Sequence, residues 1–101
     1  MYEPLNADTW VWVIVMDPEA KPQYLGQQQE GTDVAFIPTF RSKEDAQQGL
    51  AGMTLEKGRK IEIQAIMYDH LCEDAAANGF HLFVIDAEGN IAEKIAPGAG
   101  P

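Results

Sequence analysis

The chain holds one cysteine, Cys72, so no internal disulfide can form. Met1 to Asp8 lacks both the basic start and the apolar stretch of an export signal. The longest apolar run, Trp10 to Met16, is seven residues, against the roughly twenty a membrane helix needs. These absences predict a reducing, cytoplasmic setting. Basic residues are scarce too: seven against sixteen acidic ones, a formal charge of −9. Such a field repels phosphate backbones and anionic lipid head groups, which argues against nucleic acid and membrane surfaces as partners. Lys57, Arg59 and Lys60 around Gly58 are the local exception, and they read as a solvated turn. The glycines are scattered, so neither a phosphate-binding loop nor a dinucleotide fingerprint can be laid on them. No cofactor is expected.

What is present suits one compact domain. A chain of 101 residues with 46% apolar side chains can bury roughly two-thirds of its unfolded surface without metal or disulfide. The expected domain is 1–95, with 96–101, rich in proline and glycine, as a flexible tail.

Trp10 to Met16 is β-branched or aromatic throughout and too short for a typical helix, so it reads as a central strand covered on both faces. Alternation places Trp10, Trp12, Ile14 and Met16 on one side and three valines on the other. Gln23 to Glu30 has little to bury and reads as a weak edge strand or loop. Val34 to Ile37 is a firm strand that Pro38 should end.

Ser42 begins a helix, its hydroxyl placed to cap the backbone N–H of Asp45. Ala46, Leu50 and Met53 form its buried stripe, Gly49 permits close approach to a sheet, and the helix should end between Met53 and Gly58. Lys60 to Ile66 alternates as a half-buried strand, with Ile61, Ile63 and Ala65 on one side. A second helix follows, with Asp69 as N-cap and Gly79 just past its end. Phe80 to Ile85 and Ile91 to Ile95 then make a hairpin around Asp86 to Asn90.

The order β-β-β-α-β-α-β-β describes an α+β domain, a mixed sheet of five or six strands with two helices packed on one face. Glu44-Asp45-Ala46 recurs as Glu73-Asp74-Ala75, a hint of duplicated β-α units in a match short enough to be chance.

The reactive side chains do not converge. Asp69, His70, Cys72, Glu73 and Asp74 crowd the second helix and His81 opens the next strand, yet zinc wants three or four ligands aimed at one point. His70 and Cys72 diverge by about 200° around a helix of 3.6 residues per turn. His70 and Asp74 share a face and suit a solvated pair. His81 suits a half-buried, hydrogen-bonded site. Cys72 has acidic neighbours and an apolar stripe beside it, which favours a buried thiol over a nucleophile. No catalytic, cofactor-binding or metal-binding residue is therefore assigned.

Ile37-Pro38-Thr39-Phe40-Arg41-Ser42-Lys43-Glu44-Asp45-Ala46 resembles the strand-to-helix turn of SseB-type N-terminal domains and of other small bacterial α+β domains of unknown function. The resemblance covers ten residues. It implies an accessory domain without catalytic residues.

The function expected first is thus a non-catalytic protein-interaction or accessory domain, binding a protein partner or a second copy, with strand edges in Gln23 to Glu30 and Ile91 to Ile95. Its candidate surface is Trp10, Trp12, Tyr24, Phe40 and Arg41. The alternative is a regulatory domain holding a small molecule near Phe40 and Arg41 or around Lys57 to Lys60. A metal site or enzyme around His70, Cys72, Asp74 and His81 comes third.

Overall fold

The computed structural model describes residues 5–52 and 60–99. Its elements are β1 (Trp10–Met16), β2 (Gln23–Tyr24), β3 (Gln27–Gln28), β4 (Ala35–Thr39), α1 (Lys43–Ala51), β5 (Ile61–Met67), α2 (Tyr68–Asn78), β6 (His81–Ile85) and β7 (Ile91–Ile95). The class is α+β and the element order is the expected one, with the glutamine-rich stretch forming two strands of two residues each.

The described strands form two sheets, ordered β2-β1-β5 and β3-β4-β6-β7, in place of the single mixed sheet of five or six strands expected. β1 is central in the first and runs antiparallel to β5 along its whole length, from Trp10 opposite Met67 to Met16 opposite Ile61. β4 and β6 run parallel, the relation expected of strands joined through a helical crossover. One antiparallel residue pair joins the sheets: Trp12 N–H donates to the Phe40 carbonyl at 2.8 Å, and Phe40 N–H donates to the Trp12 carbonyl at 2.9 Å.

Pro38 explains why that ladder does not continue toward Ile14. The strand does not end at Pro38, where the missing N–H predicts a stop, but runs through it to Thr39. Backbone N–H groups alternate sides along a strand, so the position of Pro38 faces β1, as Phe40 does, and no bond to β6 is lost. Having no N–H, Pro38 cannot serve the carbonyl of Ile14, the next residue in register. Leu25 N–H takes that carbonyl instead, at 2.8 Å. The segment 23–28 thereby fills the wedge between the sheets, β2 on β1 and β3 on β4.

The two helices lie on opposite faces of β1, which corrects the expected single helical face. Tyr68, Leu71, Cys72 and Ala75 of α2 pack with Val11, Val13 and Val15. Ala46 and Leu50 of α1 pack on the other side with Ile14, Phe40, Ile61 and Ile63. A strand apolar on both faces needs both covers, and the two connections supply one each.

α1 starts as expected, with Ser42 Oγ accepting from Asp45 N–H at 3.1 Å. It ends earlier than expected, at Ala51, where the N–H of Gly52 reaches the carbonyls of Gly49 and Leu50; Met53 lies outside the described residues. α2 follows β5 without a break, so Met67 and not Asp69 is its N-cap. Its first donors are met by the chain before β1: Tyr68 N–H donates to Thr9 O and Asp69 N–H to Ala7 O. Asp69 Oδ1 instead accepts from His70 N–H at 2.7 Å. Gly79 closes α2 in the left-handed conformation, φ 75°. The Glu-Asp-Ala triplets fall in the first turn of α1 and the middle of α2, which is not how a duplicated unit would place them.

Gly49 is where α1 meets the junction. A Cβ there would stand 2.5 and 2.7 Å from two ring carbons of Phe40, which is fully buried. Gly49→Ala should improve helix propensity by up to about 1 kcal/mol. The forced shift of a caged ring costs about 1–3 kcal/mol, so a lower urea midpoint is expected. Gln48→Ala, exposed one residue earlier, should move stability by no more than about 0.5 kcal/mol.

Candidate functional site

The five residues expected to share a surface are separated by the fold. Phe40 lies in the core with no exposure, because the strand end that carries it is clasped by Trp12; it lines no surface. Arg41 is half-buried beside Glu93, its guanidinium 3.9 Å from that carboxylate. Tyr24 pairs with Val15 at the edge of β1 and turns toward α2. Trp10 and Trp12 stand on the opposite face. A ligand site built on Phe40 is therefore closed, and Lys57 and Arg59 lie outside the described residues.

The potentially reactive groups are likewise dispersed. Cys72 is buried; burial pushes its thiol pKa up, its hydrogen bond with Tyr68 pulls it down, and the charge of Asp69 adds to the rise. His70 is exposed, its Nε2 4.0 Å from Asp69 Oδ1, and Asp74 is engaged by Tyr24, so the expected His70–Asp74 pair does not form. His81 is half-buried and edge-on to Phe83, and its Nδ1 has no hydrogen-bond partner among the described residues. Among the described residues no three metal-ligating side chains stand together, and no helix is long and apolar enough to cross a membrane.

Two surface features of the described residues bear on binding. One is a cleft of about 500 Å³ between the β2 turn and the end of α2, lined by Pro22, Gln23, Tyr24, Asp74, Asn78 and Phe80. The Tyr24 hydroxyl donates to Asp74 Oδ2 across it. Desolvation first, and then this bond and the Asp74 charge, hold the phenol pKa well above its ordinary range. The walls are mostly polar.

The other is the Trp10 end of the β1–β5 face. On the side that α1 covers, Trp10 and Met67 face each other, then Trp12 and Ala65, Ile14 and Ile63, Met16 and Ile61. α1 reaches the isoleucine half of this face. At the other half Trp10 is 59% exposed, Ala65 is exposed, and Trp12 and Met67 are half-buried. Tryptophan with this much bare area is a recurrent anchor of protein contacts. Along the same half runs the outer edge of β5, a seven-residue strand with a neighbour on one side only among the described residues. Alternating apolar residues marked Ile61, Ile63 and Ala65 in the sequence. Nothing there marked β5 as an edge, since that follows from how β1 is shared.

Comparison with protein-family models, with curated proteins and with solved structures gave no match.

Tyr24→Phe should cost about 1 kcal/mol at neutral pH, the scale of one hydrogen bond. A phenol whose pKa is raised by folding contributes its stability below pH ~10, where the unfolded phenol titrates, and loses it as pH rises further. The variant should therefore lose less stability than the native chain between pH 7 and 11, as read from urea midpoints. The Cys72 thiol should react with a disulfide reagent at pH 8 on the order of tenfold or more slowly in the native chain than in urea.

Proposed function

We propose that this chain is a non-catalytic protein-interaction domain working in the cytoplasm. The observation that carries the reading is the bare half of the β1–β5 face, where Trp10 stands exposed beside Met67 and Ala65 at a strand edge that no described strand pairs. An apolar face next to unpaired backbone offers a partner both components of strand addition, main-chain bonds for affinity and side-chain contacts for selectivity. The buried Cys72, with its thiol pKa raised, and the scattered histidines and carboxylates agree with a role in binding. So does the resemblance of residues 37–46 to accessory domains. The acidic charge, −9 overall, disfavours nucleic acid and anionic membranes as the bound species. A small-molecule role is supported by the cleft at Tyr24 and Asp74.

Immobilised chain exposed to cytosolic extract should retain specific protein, and Trp10→Ala should lose it while keeping the native circular dichroism spectrum. Retention unchanged by Trp10→Ala and by Ala65→Lys, or no retained protein and no self-association, would overturn the reading.

A further inference from the structure

The two long edge strands differ in how they are protected. β7, at the edge of the second sheet, carries Glu93 and Lys94, and its register with β6 shifts between Val84 and Ile85. Charges and irregular register are devices that blunt an edge. β5 has neither a bulge nor a proline, and its only charged residue is Glu62. No described strand pairs with its outer side.

The backbone polarity of that side follows from the junction. Trp12 spends both its N–H and its C=O on Phe40, away from β5. Ala65, opposite Trp12, therefore belongs to a pair not bonded to β1, and its own N–H and C=O point outward. By alternation Ile61 and Ile63 also point outward, with the N–H of Met67. The bonds Asp17 N–H to Lys60 O and Tyr68 N–H to Thr9 O, one residue beyond each end, fit this phase.

Resting on the interaction reading above, we infer that the partner is a second copy of this chain, joined to the first edge to edge through β5 about a two-fold axis at Gln64. Antiparallel pairing centred on Gln64 sets Ile63 against the second copy's Ala65 and Ile61 against its Met67, so outward groups meet outward groups. Glu62 then faces Ile66 and not another Glu62, which removes the like-charge apposition that would oppose the pairing. The antiparallel arrangement also inverts the half-covered face. Each bare Trp10 end comes beside the isoleucine half of the other copy, where α1 stands. One strand edge and one indole bury less than the roughly 1,200–2,000 Å² of a stable interface, so the dimer is weak and concentration-dependent. Two chains of charge −9 repel at long range, so added salt strengthens it.

The test is sedimentation equilibrium of the full chain up to about 1 mM, where a 1 mM dissociation constant corresponds to about −4.1 kcal/mol, with amide exchange followed by NMR. Reversible dimerisation that grows with salt is expected, with the Ile63 and Ala65 amides gaining protection as concentration rises. Gln64→Lys and Gln64→Glu each place like charges on the axis and should weaken association at least tenfold, while a one-to-one mixture of the two restores it. Ala65→Pro removes an outward N–H without taking a bond from β1 and should also leave a monomer. A chain monomeric at 1 mM, or a dimer indifferent to both Gln64 variants, overturns the inference. If that monomer still retains another protein through Trp10, only the second copy is wrong. If it retains nothing, the interaction reading falls with it.

Discussion

One residue pair, Trp12 with Phe40, makes the direct backbone bridge between the two sheets, and the proline two residues before Phe40 keeps it from extending toward Ile14. With an N–H at position 38, the β1–β4 ladder could continue to Ile14 and the sheets would merge. Without it, the Ile14 carbonyl must find another donor, because an unpaired buried carbonyl costs about as much as a lost hydrogen bond. Leu25 supplies that donor. The short strands of the glutamine-rich segment, weak by composition, are thus placed by a backbone requirement of their neighbours. Leu25 and Phe40 then join Ile14 and Ala46 in one of the two core clusters.

The same junction fixes how the surface is divided. β1 gives one side to β5 and the other to β2 and Phe40, and among the described residues no strand lies on the outer side of β5. Because α1 follows Phe40 directly and presses Gly49 onto its ring, α1 is tied to the Ile14 end of β1. Nine helical residues span about 13 Å at 1.5 Å per residue, whereas seven strand residues span about 23 Å. The cover is shorter than the strand beneath it, which leaves Trp10 bare.

Local signals in the sequence carried the elements well. The alternation of Ile61, Ile63 and Ala65, the cap at Ser42, the left-handed Gly79 and the hairpin at Asp86 all act over a few residues, and each stands where composition placed it. Non-local arrangement was less legible. Trp10 to Met16 is apolar on both faces, so the pattern could not tell that the even residues are covered at one end only. Phe40 reads as exposed in a polar turn, Phe-Arg-Ser-Lys, and is buried because a strand far away in sequence clasps its backbone. Asp69 looks like a cap, but β5 runs straight into α2 and residues 7–9 satisfy the helix start.

Net charge is a poor guide to what such a surface can meet. A chain of −9 repels its own kind at distances near and beyond a Debye length, about 8 Å at physiological salt. At contact what counts is which charges stand opposite one another. Glu62 is the single charge within β5, and antiparallel symmetry about Gln64 moves it four residues away from its counterpart along the strand direction. Register therefore decides whether the acidic chain rejects or accepts a second copy at this edge. Register in turn follows from the phase in which Trp12 gave its hydrogen bonds to Phe40, so the junction that splits the sheet also determines which backbone groups β5 presents.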